Sequence, residues 1–451
     1  MNRPAYIFYA LVMLPLGFVV NELDFNTNYL LVFIHAIIAF ISIKIITRKN
    51  SGMLNQAAGV FFLIFFAIFP IHELANNIIY WDGENFSSEI RLLGSFSVLI
   101  FVFLFWTALK ITFPSYKKDL PFFHRLFKIH AISERRNKWL FFCIIIGISL
   151  IFNLYEFKFF TLFVKGGKFS SELNFDLKAT YLLVEFFLRP LVFNACLVAF
   201  LLFSKNIFHK IFFIVAMIFV ASPTGVSRFL FAALYMPLLM VMIMKRHNKN
   251  ETVLSYNFYL LPNLLLFGLF SAFPFLEIFR YFSFEKFVNF SFSENLSAGS
   301  FDAFQMFLRA LDVGSVSYGY GCLGVFLFFV PRSVWPSKPV TSGFEISELS
   351  GLRHDNVSMP IIGEFYLNFW YFGVIFGALL LAMLFKKIDC YCLRYKNSNL
   401  SLGHLAYFQL ACLVIYNMRG GLLSSFAYTI GIMISWVIIA FVIDPKYTHK
   451  I

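Results

Sequence analysis

The chain predicts an all-α polytopic integral membrane protein, and three observations carry that expectation. Hydrophobic residues make up 60% of the 451 positions and charged residues 14%, with a mean hydropathy of +0.76, well outside the range of a soluble domain. The apolar residues lie in continuous runs close to the ~20 residues a helix needs to cross a bilayer, rather than the ~10-residue alternating segments of a β-barrel. The charges gather between those runs. The abundant Phe (65 residues) reads as compositional bias rather than as a functional signal.

Taken in order, apolar runs fall at 5–20, 29–46, 53–71, 92–109, 139–155, 180–203, 211–222, 229–244, 254–275, 367–385, 403–418 and 422–443, which gives about 12 transmembrane helices. The first follows Arg3, has no small-residue cleavage site after it and is succeeded at once by further runs, so it reads as an uncleaved helix. The 211–222 run joins the next through a Pro- and Gly-containing turn ending in Ser227-Arg228. Three parts follow: helices 1–9 over residues 1–275, a large outer loop over 276–366 containing short helices, and helices 10–12 over 367–451, all within one membrane domain. In the loop, Gly299–Leu311 has the period of an amphipathic helix. Phe301, Phe304, Phe307, Leu308 and Leu311 share one face and Asp302, Gln305, Arg309 and Asp312 the other, as expected of a helix lying flat on the membrane or capping a cavity. Leu323–Val330 is apolar, too short to span and stopped by Pro331, which fits a re-entrant or buried segment.

The formal charge of +13 does not require nucleic acid. With the N-terminus inside, about 23 of the 37 Lys and Arg residues fall in cytoplasmic segments, as the positive-inside rule demands. Both termini are then cytoplasmic. Of six cysteines, only Cys322 lies in the large loop, so no disulfide framework is expected.

Chemistry is expected on the outer side. Arg228, Arg309, Arg332, Arg353 and Arg419 present planar forks suited to phosphate oxygens. Arg228 opens a helix whose amides add to an anion site, and Arg419, beside Gly420-Gly421, reads as an equivalent position at the start of the last helix. Arg189 reads as either cavity-facing or an interface anchor. Arg353-His354-Asp355-Asn356 brings a cation, an imidazole and a carboxylate together, and such a His is a candidate general base for a sugar hydroxyl. Glu364 stands at the outer entry to the helix through Asn368 and Gly373, either as a base or as a partner of the helix dipole. No phosphate-binding Gly-rich loop, HExxH, CxxC pair or nucleophile elbow is present. The outer acids Glu22, Asp24, Asp82 and Glu84 lack further ligands. No metal and no cofactor are expected.

The run Phe329-Val-Pro-Arg-Ser-Val-Trp-Pro-Ser-Lys-Pro339, followed by Glu364-Phe-Tyr-Leu-Asn-Phe-Trp-Tyr-Phe-Gly373, resembles the bacterial O-antigen polymerases (Wzy-type oligosaccharide repeat-unit polymerases). So do the helix count, the late periplasmic loop and the Ser227-Arg228 helix start. His354-Asp355-Asn356 before Glu364 is similar to a pattern of the related O-antigen ligases. The family's Arg-x10-Gly spacing is not matched, since Arg353 and Gly363 have one residue fewer between them. The resemblance implies an inner-membrane glycosyltransferase of lipopolysaccharide and surface polysaccharide biosynthesis. It would join undecaprenyl-diphosphate-linked repeat units at the periplasmic face, with membrane lipids and a chain-length regulator as partners. Arg228 and Arg419 would hold the diphosphate, helped by Arg332, Lys338, Arg353 and Arg309. Asn368 would assist in binding, and Glu364 or His354, with Asp355, would receive the acceptor proton. A lipid-linked oligosaccharide flippase or an O-antigen ligase is the alternative; against the flippase, the chain lacks two similar halves. The topology has its own test: a C-terminal reporter active only in the periplasm is expected to stay silent, and a signal from it would reverse the orientation.

Overall fold

The computed structural model describes residues 3–21, 23, 28–49, 51–81, 85–111, 121–129, 134–154, 182–203, 206–222, 225–246, 258–272, 301–354, 357–395 and 398–444. Among these the regular structure is helical throughout. In chain order the helices are α1 Arg3–Asn21, α2 Tyr29–Ile46, α3 Met53–Asn76, α4 Ser88–Lys110, α5 Pro121–Lys128, α6 Glu134–Leu154, α7 Val184–Leu202, α8 Ile207–Val220 and α9 Arg228–Arg246. Then come α10 Leu260–Ser271, α11 Ala303–Val313, α12 Tyr320–Phe326, α13 Ser342–Leu349, α14 Ile361–Cys392, α15 Leu402–Arg419 and α16 Leu422–Ile443. Each apolar run holds a helix, and α2, α3, α4, α7, α9, α14 and α16 are long and apolar enough to cross a membrane. The protein is a helical membrane protein.

α3 and α15 form the centre. α3 is buried over 94% of its apolar window and packs against α2, α10, α14 and α15. Its phenylalanines fill the core: Phe61 stacks on Phe65 at 4.9 Å, and Phe62 meets Phe101 and Phe105 of α4 edge-on. Phe69 lies flat on Phe301 at 3.8 Å, tying the start of the loop region to the bundle. A single π turn at Ile64–Ile68 interrupts α3. The ring of His35 on α2 donates from Nδ1 to the Phe66 carbonyl at 2.8 Å, as expected where a π turn disturbs the regular ladder.

Polar side chains inside the bundle are spent on helix-to-helix bonds. Asn194 of α7 donates to Ser435 of α16 and accepts from Gln409 of α15, and Gln409 in turn accepts from the Trp436 indole. Arg189, expected at a cavity or an interface, is buried. It pairs with Glu185 one turn earlier and donates from Nε to the Val220 carbonyl at the end of α8.

The start of α3 has an unusual cap. Its N-cap residue is Gly52, which has no side chain to offer. The carboxylate of Asp389, near the far end of α14, accepts from the Leu54 and Asn55 amides at 3.1 and 3.0 Å and from the Tyr407 hydroxyl of α15 at 2.6 Å. Gly52 is required there, because a Cβ would stand 2.2 Å from the Asp389 carboxyl carbon. Asp389, itself buried at 1% exposure, thereby bonds three helices where water cannot replace it.

α14 starts at Ile361, ahead of the apolar run at 367–385, and is kinked at Phe369 and Trp370, the latter at φ 55°. The Leu367 carbonyl at the kink is taken by the amide and hydroxyl of Ser317 at 2.7 and 3.2 Å. The kink divides a buried first segment, Ile361–Asn368, from the apolar remainder.

Two expectations for the loop are corrected. α11 does not lie on a surface: Ala303–Leu311 are all buried, Gln305 and Arg309 of the polar face included, and Asp312 at its end is exposed. Gly299 and Ser300 lie outside the described residues. Leu323–Val330 is not a buried segment: of its residues only Gly324 and Val325 are buried. It is the end of α12 followed by turns, with Phe326 and Phe329 about two-thirds exposed at 65% and 68%. Replacing Asp389 by Ala removes the acceptor of four bonds, from the Leu54 and Asn55 amides, the Asn55 side chain and the Tyr407 hydroxyl, and is expected to cost roughly 2–4 kcal/mol. A lowered thermal unfolding midpoint of the purified protein in detergent would show it, and an unchanged midpoint would contradict the capping role.

Candidate functional site

The residues singled out by their chemistry gather mainly at one end of the bundle, where α3 and α15 finish and α4, α9, α14 and α16 begin. Residues 301–360 cover this end. Arg419 occupies the last position of α15, not the start of α16, so it is not equivalent to Arg228. Its Nη2 donates to Asp302 Oδ1 at 2.8 Å and its Nη1 to Ser358 Oγ at 3.1 Å, while its guanidinium lies 5.2 Å from the centre of the Phe229 ring. Phe229 follows Arg228, the half-buried first residue of α9. The two arginines expected to hold an anion are thus brought to one place by the packing of α9 on α15. One amide in the first turn of α9, that of Leu230, is already bonded to Ser227 Oγ at 3.3 Å.

Asp302 organises the surroundings of Arg419. Its other oxygen accepts from the Trp81 indole at 2.6 Å, and its side chain is 99% buried, with 1% exposure. Burial pushes its carboxyl pKa up, and the Arg419 charge opposes that shift. Trp81 holds the left-handed conformation at φ 65° and carries the His354 ring edge-on at 5.5 Å. Gln305 and Arg309 of the polar face of α11 are spent on the same incoming stretch of chain. Gln305 donates to the Ile78 carbonyl at 2.6 Å and accepts from the Tyr80 amide at 2.9 Å. Arg309 donates to the Tyr80 carbonyl at 3.1 Å and sits over the Phe86 ring. Burial lowers its pKa. Arg309 therefore fastens residues 78–81 to α11 and is buried away from solvent, at 5% exposure.

Glu364 occupies the first turn of α14, as its sequence position predicts. Its Oε1 accepts from the Leu422 amide at 2.8 Å and its Oε2 from the Ser342 hydroxyl at 2.7 Å. The N-cap of α16 is Gly421, again without a side chain, so Glu364 caps a neighbouring helix rather than its own. One turn on, Asn368 donates to the Glu364 carbonyl at 2.9 Å and accepts from the Cys322 amide at 2.7 Å and from Ser317 Oγ at 3.2 Å. These bonds seat α12 on α14.

The Pro331–Pro339 run is clasped on itself. Lys338 Nζ donates to the Phe328 and Val330 carbonyls at 2.6 and 2.9 Å, and Arg332 to the Lys338 and Pro339 carbonyls at 2.7 and 3.2 Å. Tyr320 donates to the Ser337 carbonyl and packs edge-on against Trp335. Arg332 and Lys338 thus share one loop and are not drawn into the Arg419–Asp302 cluster. Arg353 and His354 are exposed beside Trp81, and the His354 carbonyl accepts from Ser347 Oγ at 2.6 Å. Asp355 and Asn356 lie outside the described residues, as do Glu22, Asp24, Asp82 and Glu84.

The outcome is one cluster holding Arg419, Asp302, Trp81 and His354, with Arg228 next in sequence to the Phe229 ring that meets Arg419 and Glu364 joined to it through the short Gly420-Gly421 turn. Sequence reasoning missed Trp81 and the pairing role of Asp302. The one available signal was an acid at the first position of an amphipathic helix, which suggests a cap, yet Asp302 makes no side-chain cap bond. Among the described residues no group of three or more His, Cys, Asp or Glu converges as a metal ion would need. Comparison with protein-family models, with curated proteins and with solved structures found no match.

Breaking the buried Arg419–Asp302 pair from one side leaves a charge without its partner. Arg419→Gln and Asp302→Asn are each expected to destabilise the protein by about 3 kcal/mol, and the double variant by clearly less than the sum. Additive losses in thermal unfolding would show that the two do not act as a pair.

Proposed function

We propose that this protein is a surface-polysaccharide polymerase that joins lipid-diphosphate-linked oligosaccharide repeat units. In this proposal its twelve apolar helices all span the inner membrane of a bacterium, both termini are cytoplasmic, and the end carrying residues 301–360 faces the periplasm. The observation that carries the proposal is the meeting of Arg228, Arg419 and Glu364 at that one end, from three helices far apart in sequence. The resemblance of the Pro331–Pro339 and Glu364–Gly373 runs to the O-antigen polymerases supports it.

The chemistry asks little beyond what these residues supply. A hydroxyl of the incoming unit attacks the anomeric carbon of the growing chain, the glycosyl–oxygen bond breaks, and the lipid diphosphate leaves with the electron pair. The leaving group carries its own activation, so no nucleotide site is needed. Arg228, at the positive end of the α9 dipole, holds the diphosphate and stabilises the charge that develops on it. Arg419 adds its charge from a position fixed by Asp302 and Ser358. Glu364 receives the acceptor proton. Its two bonded donors fix the carboxylate in place, and each oxygen has a further lone pair for the hydroxyl. His354, on the exposed face of Trp81, lies at the entrance and contacts the sugar. Fixed geometry of this kind contributes by orientation as much as by proton transfer.

Glu364→Gln keeps both capping contacts in shape but removes the base. At normal protein levels, polymer is expected to fall by a factor of about 100 or more, leaving lipid-linked single repeats in place of a ladder on a polysaccharide gel. Arg228→Ala should behave in the same way. An unchanged ladder in either variant would remove that residue from the mechanism.

A further inference from the structure

The stretch from α12 to Pro339 has two features that the cluster above does not use: a row of exposed apolar side chains and a backbone that bonds to itself. Between Asp312 and Glu345 the chain has no acid, and its only Lys or Arg residues are Arg332 and Lys338. Leu323, Phe326 and Phe329 are exposed, and Val334 at the tip is 74% exposed. Apolar side chains gathered this closely on a surface mark a contact. The contacts of the phenylalanines fix its level. Phe326 and Phe328 both meet Phe426 of α16 edge-on, at 5.9 and 6.2 Å, and Phe328 stacks on Phe187 of α7 at 6.4 Å. Phe426 lies about 6 Å along α16 from Leu422. Next to Phe187, the Phe186 carbonyl touches Gly431, about 14 Å along the same helix. The tip therefore runs beside α16 past its first turn. Leu182 and Leu183, one turn before Phe187, are exposed as well. Both α7 and α16 are long and apolar enough to cross a membrane, so their entry is where hydrocarbon meets headgroups.

The backbone of the tip is irregular, and irregular backbone at such a level needs partners other than water. It has them. Lys338 takes the Phe328 and Val330 carbonyls, Arg332 those of Lys338 and Pro339, and Tyr320 that of Ser337. The Leu327, Pro331 and Trp335 carbonyls are taken by amides of the same stretch. On a solvated loop water would meet these groups; here the chain meets them itself while its apolar side chains point outward. The cations complete the pattern. Arg332 is exposed, and its planar fork carries more N–H donors than the bonds to Lys338 and Pro339 use. A long basic side chain above an apolar row, with no acid near it in sequence, suits the phosphates of a lipid surface. A protein partner would have to reach the same level through lipid.

We propose that residues 326–334 form an interfacial anchor, which inserts Phe326, Phe329 and Val334 into the bilayer beside α7 and α16 and sets Arg332 and Lys338 against the headgroups of anionic phospholipids. α12, from which the anchor projects, is seated on α14 by Asn368, one turn after Glu364. The anchor therefore also fixes the depth of Glu364 relative to the lipid surface. The test places the benzophenone analogue of phenylalanine at position 329 of the full-length chain, an exposed position where it leaves the core packing intact. The chain is irradiated in liposomes holding phosphatidylglycerol and phosphatidylcholine in equal amounts, and adducts are identified by mass spectrometry. Lipid adducts at position 329 are expected, with phosphatidylglycerol favoured about fivefold by the two cations. Arg332→Gln should lower that preference to about twofold with lipid adducts persisting, and Arg332→Lys, which keeps the charge, should restore it. Absence of lipid adducts at position 329 would overturn the anchor. Adducts to a protein in place of lipid, when the same chain is irradiated in whole cells, would overturn it too and make this surface a protein interface. Equal labelling of the two lipids would overturn the assignment of Arg332 and Lys338 to headgroups. None of these results bears on the polymerase proposal, because no glycan substrate is present.

Discussion

α14 carries a buried carboxylate near each end, and each one caps the start of a different helix. Asp389 takes the first amides of α3, and Glu364 takes the first amide of α16. In both partners the N-cap position is glycine, which has no side chain of its own to do this. A helix start in hydrocarbon or at its edge cannot fall back on water, so the position of α14 fixes where α3 and α16 can begin. The two acids stand 25 residues apart, about 37 Å along a helix before the kink is counted, which is comparable with a bilayer. The central helix α3 and the Arg419–Asp302 cluster are therefore registered against one another by a single element.

Glu364 consequently has two duties. Its contacts with Leu422 and Ser342 join α16 to α13 of the loop, and Asn368 one turn later holds α12. The loop is thus built onto the first segment of α14, and the kink at Phe369–Trp370 gives Ser317 a carbonyl to bind. A site made this way is held by hydrogen bonds among α12, α13, α14 and α16 themselves. Rigid placement suits a transfer in which the leaving diphosphate brings its own activation and the protein supplies position and charge.

Much of the scaffold was legible in the sequence, because continuous apolar runs and their flanking residues report helices directly. Glu364 was legible too, since an acid at the entry of an apolar run is visible locally. What could not be read were the pairings between distant segments. The polar face of α11 looks like a solvent-facing surface until the strand of chain at 78–81 is laid along it, and Asp302 looks like a cap until Arg419 and Trp81 reach it. Arg332 and Lys338 looked like members of the same anion grip as Arg228. The proline-punctuated turn between them instead closes on its own carbonyls, a geometry that residue types alone do not announce. Arg419 was misplaced by one helix, because Gly420-Gly421 marks a turn without saying on which side of it the arginine falls.

Reconstitution tests the central claim most directly. The purified chain would be placed in liposomes with lipid-diphosphate-linked repeat units as the sole substrate, and both product length and free lipid diphosphate would be measured. Products longer than one repeat unit, with one lipid diphosphate released per new linkage, are the predicted result. Single repeat units that stay intact, whether left in place or moved across the bilayer without release of diphosphate, would contradict it.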